Sequence, residues 1–184
     1  MKTFTVPTRE QVSAPAQAIF DNLQAKLGTV PNLYATIGYS ASALQGHLEY
    51  SQTLAQGAFN AKEREAIFLA VSQVNGCDYC LAAHTALAKM NGFTEAETLE
   101  LRAGTIADPR LRSISRLAAE IARTRAEPAP ELLDEFFAQG SDDGALIDLI
   151  ALVTEISFST YTHKITQVPV DFPAAQPLEA PVGA

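Results

Sequence analysis

Start and stop signals for helices recur along the chain and constrain its fold more than any other feature. Asn60 to Glu63 and Thr94 to Glu97 each have the pattern of a capping box, in which the first side chain and a glutamate three residues later satisfy backbone N–H groups reciprocally. Asp108 before Pro109 pairs an N-cap residue with a proline at the first helical position. No segment shows the alternation of apolar and polar residues that indicates a strand. The sequence therefore predicts an all-α fold.

These signals divide the chain into helices joined by short turns. The predicted helices are, in chain order, 14–27, 34–37 after a turn at 30–33, 40–55, 61–75, 77–91, 94–103, 108–125, 130–138 and 142–164. Residues 165–184 carry four prolines and are predicted to form an extended tail. A chain of 184 residues without an internal repeat suits one domain. We therefore expect a single helical domain over 1–184, with its core at about 14–164.

The chain is acidic, with a net charge of −8 and a pI near 4.8. The phosphates of nucleic acid and the headgroups of anionic membranes both attract basic surfaces, so neither is an expected partner. Met1 to Pro7 contains no apolar run of the kind found in signal peptides. The most apolar stretch, Ala145 to Phe158, includes Asp148 and Glu155 and is too short to cross a bilayer. We therefore expect a cytoplasmic protein.

The last predicted helix is apolar on nearly all of its faces. Its apolar positions are Leu146, Ile147, Leu149, Ile150, Leu152, Val153 and Ile156. A helix with this pattern is buried on several sides. It is either the central helix of a monomer or a helix that buries one face against another subunit, and the charged fraction of only 18% favours an oligomer.

The two cysteines, Cys77 and Cys80, are three residues apart and cannot staple distant parts of a fold. In a reducing compartment, this spacing indicates redox chemistry or metal binding. On a helix that starts at Cys77, one face carries Cys77, Cys80, Leu81, His84, Leu87 and Ala88. Both sulfurs and the imidazole are therefore predicted to point into the interior or a pocket. The helix N-terminus would stabilise a thiolate at Cys77, whereas His84 would serve Cys80, and the spacing leaves open which thiol reacts.

Glu65 is the predicted partner of His84. If 61–75 and 77–91 form an antiparallel hairpin across Asn75-Gly76, the rise of about 1.5 Å per residue brings Glu65 and His84 to a similar level. A buried histidine needs a group that orients its second nitrogen, and a carboxylate does this well. Glu63 is the competing carboxylate, but its capping role already explains it.

Two readings compete with redox chemistry. Cysteine is often only a buried, space-filling residue. Alternatively, Cys77, Cys80, His84 and Glu65 could supply four zinc ligands, although three ligands on one helix rarely close a tetrahedron. Leu81 stands where covalent haem attachment needs a histidine. We expect neither a metal nor another cofactor.

Two further residues are candidates for a substrate pocket. Tyr79 lies between the cysteines and either lines a pocket or packs in the core. His163, near the end of the last helix, is either a pocket residue or a partner of the negative end of the helix dipole. His47 is interpreted as a surface or structural residue.

The sequence contains Glu65, then eleven further residues, then the motif Cys-x-x-Cys-x-x-x-His. This pattern closely resembles the alkylhydroperoxidase D (AhpD) family of the carboxymuconolactone decarboxylase superfamily. Val30 to Leu33 resembles the family's opening segment, and Pro169 to Pro173 the closing segment of its peroxidase-related members. The resemblance implies a compact helical fold with a central Cys-x-x-Cys hairpin, assembly as homo-trimers or homo-hexamers, and reduction of peroxide without haem or metal. It also implies that Cys80 and Cys77 are the redox pair, that His84 assists and that Glu65 completes a proton relay. Tyr79 replaces a second histidine found in some members, and His163 stands where related sequences often carry asparagine.

The primary hypothesis is therefore thiol-dependent reduction of a hydroperoxide. Cys80 would attack the peroxide, Cys77 would resolve the sulfenic acid as a disulfide, and a thioredoxin-like or lipoyl-type dithiol would reduce the pair. The alternatives are a lactone decarboxylase or isomerase that uses His84 and Glu65, and a redox sensor without turnover. The decarboxylase branch lacks the cysteine pair, which counts against that activity.

Overall fold

The computed structural model describes residues 4–178, which fold into helices without any strand in that range. A 3₁₀ turn at Arg9–Gln11 precedes α1 (Ala14–Leu27), α2 (Asn32–Ile37), α3 (Ala41–Leu54), α4 (Ala61–Asn75), α5 (Asp78–Met90), α6 (Glu95–Ala103), α7 (Pro109–Thr124), α8 (Pro130–Ala138) and α9 (Asp143–Thr166). The prediction of an all-α fold is confirmed.

The capping signals act where the sequence places them. Asn60 and Thr94 each accept a hydrogen bond from a backbone N–H in the first turn of α4 and α6, and both capping boxes are complete. The side chain of Asp108 accepts from the backbone N–H of Leu111 at 2.9 Å and starts α7. Because these contacts are local, the predicted helix limits agree with the structure to within about two residues at most ends.

The prediction that a helix starts at Cys77 is wrong by one residue. Gly76 ends α4 in the left-handed conformation, with φ +58°, and this reverses the chain. Cys77 follows in an extended conformation as the N-cap of α5, and Asp78 is the first helical residue. Cys77 therefore lies just outside the helix that contains Cys80.

Helix α4 is the centre of the fold, with α5, α6, α7 and α9 packed around it. Its residues from Glu65 to Ser72 are all buried. The sequence carries no charged side chain between Glu65 and Asp78, so the greater part of α4 can be enclosed without desolvating charges.

Helix α9 packs on α2, α3, α4, α5 and α7 and leaves part of its apolar surface exposed. The prediction that this segment is too short to cross a bilayer is wrong about its length. The helix continues beyond Phe158 to Thr166, and its 24 residues are long and apolar enough, by length and composition, to cross a membrane. A core helix of a folded domain passes the same test, and α9 buries Leu149, Leu152 and Ile156 in the main core.

The segment after α9 follows an irregular path over the helices. Val168 is buried, and the carbonyl oxygen of Gln176 accepts a hydrogen bond from Arg102 at 2.6 Å. The predicted tail thus lacks regular structure from Val168 to Leu178, and its remaining positions, 179–184, lie outside the described residues.

Candidate active site

The two cysteines form a disulfide at the N-terminus of α5. Their Cα atoms are 5.3 Å apart, because one is the N-cap and the other lies in the first turn. Both are buried, and the backbone N–H of Cys80 points at Cys77 Sγ at 3.2 Å. The prediction that Cys77 and Cys80 can pair within one chain is confirmed.

The C-terminal end of helix α9 holds the tight connection between α4 and α5, next to the cysteines. Lys164 donates from Nζ to the carbonyl oxygen of Asn75 at 2.8 Å and to that of Gly76 at 3.3 Å. These carbonyl groups belong to the C-terminal end of α4, where a cation is favourable. One turn earlier, Thr160 Oγ1 lies 3.6 Å from Cys80 Sγ. Helix α9 therefore contacts both the turn and one of the two sulfurs.

Glu65 and His84 meet across α4 and α5, as the hairpin geometry predicts. His84 Nδ1 lies 2.8 Å from Glu65 Oε2, and both side chains are largely buried. The ring of Phe68 packs on that of His84, with centroids 4.7 Å apart. A carboxylate at Nδ1 keeps a proton on that nitrogen, so Nε2 is the acceptor of the neutral ring. The competing carboxylate, Glu63, caps α4 and pairs with Arg110.

A pocket of about 360 Å³ opens beside this pair. Its lining residues are Leu27, Thr29, Pro31, Leu33, Tyr34, Tyr79, Cys80, Ala83, His84, Leu87, Ile156, Ser159 and Phe172. Among the described residues, its wall thus includes Cys80 but not Cys77. Most of the lining side chains are apolar. Tyr34 also lines the pocket, and burial raises the pKa of its hydroxyl group to about 12. The pocket therefore brings one sulfur and one imidazole to a surface suited to an apolar ligand.

Tyr79 both lines the pocket and holds its rim together. Its hydroxyl group donates to Asp171 Oδ1 at 2.6 Å and accepts from the backbone N–H of Leu33 at 3.2 Å. Asn32 completes the contact, because its backbone N–H donates to Asp171 Oδ2 at 2.8 Å. Burial and the hydrogen bond to Asp171 raise the pKa of Tyr79. We call Asn32, Leu33, Tyr79 and Asp171 the clasp, since they join 30–33 to 169–173 over α5.

The other two histidines lie away from the pocket wall. The ring of His163 packs on Tyr79, with centroids 5.6 Å apart, so the candidate pocket residue His163 lies behind Tyr79 and does not line the pocket. Burial lowers the pKa of His163. His47 is buried rather than on the surface, packs against Tyr34 and Phe158, and has its pKa lowered by burial.

Sequence reasoning missed one buried titratable group near the site, Glu155 of α9. Burial raises the pKa of its carboxyl group, and the negative charge of Glu65 raises it further. His84 and Arg64 act in the opposite direction, which places the Glu155 carboxyl within electrostatic range of the Glu65–His84 pair. The available signal was a lone glutamate within an apolar run, a position that is rarely buried without a partner.

The described part of the chain contains no cluster of three or more histidine, cysteine, aspartate or glutamate side chains arranged to hold a metal ion. The four residues considered as zinc ligands are instead divided into a disulfide and a hydrogen-bonded pair. This arrangement has the parts that thiol–disulfide exchange beside an acid–base group requires.

Comparisons with known proteins indicate the family and the fold. Residues 41–120 match the sequence model of the carboxymuconolactone decarboxylase family. The YdfG protein of Bacillus subtilis (strain 168) is 29% identical over 105 residues, which cover 55% of this chain and 71% of YdfG. A peroxidase-related protein with an AhpD core from Ralstonia eutropha JMP134 has a similar fold, with a TM-score of 0.81, 20% identity and 91% of each chain covered. The debrominase Bmp8, in complex with 2,3,4-tribromopyrrole, has a TM-score of 0.77 at 16% identity, with 93% of each chain covered.

Proposed function

This chain belongs to the AhpD/carboxymuconolactone decarboxylase superfamily, and from that premise we propose that it reduces organic hydroperoxides with electrons from a dithiol. One observation carries the proposal. Of the two cysteines in the disulfide, Cys80 lines an apolar pocket together with His84, whose ring is held by Glu65. A thiol, an oriented base and a binding pocket are the parts that nucleophilic attack on a peroxide requires.

In the reduced enzyme, the Cys80 thiolate attacks the terminal oxygen of the hydroperoxide ROOH. The O–O bond breaks, Cys80 becomes a sulfenic acid, and the leaving alkoxide takes a proton from the His84 imidazolium to give the alcohol. Glu65 supports this step, because a carboxylate at Nδ1 stabilises the charged ring and fixes its orientation. Thr160 is positioned to hydrogen-bond the thiolate.

Cys77 serves as the resolving thiol. Its sulfur attacks Cys80–SOH, the disulfide forms, and the hydroxyl group leaves as water after taking the thiol proton. Its N-cap position assists, since the N–H of Cys80 and the positive end of α5 stabilise a thiolate at Cys77. His84 thus assists Cys80 in the first step, and the N-terminus of α5 assists Cys77 in the second.

An external dithiol then restores the enzyme. Its first thiolate attacks the sulfur on the pocket wall, that of Cys80, and Cys77 leaves as the stabilised thiolate. The second thiol of the reductant displaces Cys80 and closes its own disulfide. Because Cys80 is buried on the wall of a pocket of about 360 Å³, we expect a reductant whose thiols can enter the pocket, such as a lipoyl-type group or an exposed Cys-x-x-Cys loop.

Steady-state turnover tests this proposal directly. Cumene hydroperoxide and hydrogen peroxide are each supplied with dihydrolipoamide, and consumption of peroxide is followed for wild type, Cys80→Ser and Cys77→Ser. We expect continuous turnover, a preference for the organic peroxide, and a rate no higher than the protein-free reaction for Cys80→Ser. One stoichiometric oxidation without turnover indicates a redox sensor, whereas decarboxylation of a lactone by Cys80→Ser indicates the decarboxylase chemistry of the superfamily.

Reductive dehalogenation is a second candidate, because the debrominase Bmp8 has a similar fold and its structure holds a brominated pyrrole. The same residues balance the reaction. The Cys80 thiolate takes the bromine, His84 protonates the ring carbon that bromine leaves, and Cys77 displaces bromide as the disulfide forms. Release of bromide from 2,3,4-tribromopyrrole, measured with the same dithiol, separates this activity from peroxide reduction.

A further inference from the structure

A second cavity, the crevice, lies beside the pocket on the neighbouring face of α9. It measures about 450 Å³, opens to solvent, and is lined by Ser42, Ala43, Gly46, His47, Tyr50, Thr154, Glu155 and Phe158. At about 100° per residue, the crevice positions of α9 occupy the face adjacent to Ile156 and Ser159, which line the pocket. One helix thus forms part of the wall of both cavities.

Two polar side chains of α9 stand in this shared wall, one helical turn apart. Ser159 lines the pocket, and its hydroxyl group lies 3.5 Å from Nε2 of His47, a crevice residue. Glu155 lines the crevice and interacts electrostatically with Glu65 and His84, the pair beside the pocket. The wall between the pocket and the crevice therefore contains polar side chains and is not formed by apolar side chains alone.

Glu155 is surrounded by groups of both signs. Tyr34 faces it from α2, Ser51 and His47 from α3, Arg64 and Glu65 from α4, and His84 from α5. Burial is the largest influence, and it raises the pKa of the Glu155 carboxyl, while Ser51, His84 and Arg64 lower it. The carboxyl group therefore exchanges its proton at a higher pH than an exposed glutamate does.

The proposed reaction requires such a group. Each oxidation uses one proton from His84 to form the alcohol, and each reduction of the disulfide returns one proton when the thiolate of Cys80 is restored. The first event occurs when the peroxide is in the pocket, and the second occurs when the dithiol reduces the disulfide. His84 and Glu65 are largely buried, so the proton needs a route to water that stays open while the pocket is occupied.

We propose that Glu155 is a positioning residue that exchanges protons between the solvent-open crevice and the Glu65–His84 pair, so that the pair regains its proton by a route that does not pass through the substrate pocket. This role rests on the proposed function of Cys80 and His84. Glu155 does not contact the reacting atoms and acts only through the pair.

The test compares wild type with Glu155→Gln and with Tyr50→Phe, a control that changes the same crevice without removing a titratable carboxyl group. The reduced proteins are alkylated at Cys80 with iodoacetamide in a Cys77→Ser background, from pH 4 to pH 9. We expect an inflection above the ordinary carboxyl range in wild type and in Tyr50→Phe, and its loss in Glu155→Gln. Superimposable profiles for wild type and Glu155→Gln would overturn the proposal.

Peroxide turnover gives the second readout. We expect Glu155→Gln to slow turnover by about tenfold, less than the ~10²–10⁴ supplied by a direct acid–base group, and Glu155→Asp to restore part of the rate. A loss of rate that Glu155→Asp does not relieve, with an unchanged alkylation profile, would assign Glu155 a purely structural role. Alkylation needs no peroxide, so a protein without turnover whose inflection still depends on Glu155 contradicts the proposed function and leaves the proton route standing.

Discussion

Nδ1 of His84 lies 2.8 Å from Oε2 of Glu65, across the antiparallel pair formed by α4 and α5. The contact joins the central helix of the fold to the helix that carries Cys80. Because both side chains are largely buried, neither can be replaced by water without loss of orientation. The Glu65–His84 pair thus links the buried central helix to the helix that carries Cys80, the residue that is proposed to react.

His84→Ala and Glu65→Gln are expected to act on the same step. Both should slow alkylation of Cys80 at neutral pH and peroxide turnover, and the double variant should be little slower than His84→Ala, because Glu65 acts through His84. Glu63→Gln is the matched control, since Glu63 is equally buried on α4 but caps the helix and pairs with Arg110. It should lower stability and leave the reactivity of Cys80 unchanged. Additive losses in the double variant would contradict the relay.

The cysteines should have separable roles. After one equivalent of cumene hydroperoxide, Cys77→Ser should hold a sulfenic acid on Cys80 that dimedone traps, because the resolving thiol is missing. Cys80→Ser should keep an unmodified Cys77, which does not line the pocket. Mass spectrometry measures both adducts. Trapping on Cys77 instead would reverse the assignment.

Glu155 makes the stability of the fold depend on pH. Burial raises the pKa of its carboxyl in the folded state above the ordinary value of 4.5, so the folded state binds more protons than the unfolded state between these two values. Its contribution is present below pH 4.5 and is lost as the pH rises through the folded pKa. Glutamine cannot ionise, so the stability of Glu155→Gln relative to wild type should increase from pH 4 to pH 8. Urea unfolding across this range measures the difference, and a constant offset would contradict the burial of an ionisable carboxyl.

Tyr79→Phe should open the clasp. The change leaves the N–H of Leu33 and the carboxylate of Asp171 without their shared hydroxyl group, at a cost of about 1–3 kcal/mol for buried polar groups. Phe172 lines the pocket next to Asp171, so KM for the organic peroxide should rise more than kcat falls. Tyr39→Phe, at an exposed tyrosine that lines neither the pocket nor the crevice, is the control and should leave KM and kcat unchanged. Equal stability of Tyr79→Phe and wild type would show that the clasp does not hold the rim.

The exposed surface of α9 should form a subunit contact. Ile147, Ile150, Tyr161 and Ile165 are exposed, do not line the crevice, and lie within about 60° of one another around the helix. We expect light scattering to give a multiple of 19.7 kDa, with a trimer or hexamer as the implied size. Ile165→Asp should lower this mass, whereas Met90→Asp, which alters an exposed apolar residue of α5, should not. A single-chain mass for wild type at micromolar concentration would refute the contact.

The sequence alone determined the identity and the limits of the helices, because capping boxes, prolines and left-handed glycines act within one or two turns. It also brought Cys80 and His84 onto one face of α5, and the short hairpin connection was enough to place Glu65 beside His84. These relationships follow from helical periodicity and a tight turn, both of which are local.

The tertiary structure decided what depends on how helices pack. It packed four helices around α4, set Cys80 rather than Cys77 on the pocket wall, and placed His163 behind Tyr79. It also joined Tyr79 to Asp171 across 92 residues of sequence and buried Glu155 near the Glu65–His84 pair. Helical spacing defines the face on which a side chain lies, but the neighbour of that face depends on the volumes and contacts of the whole core, which no local pattern encodes.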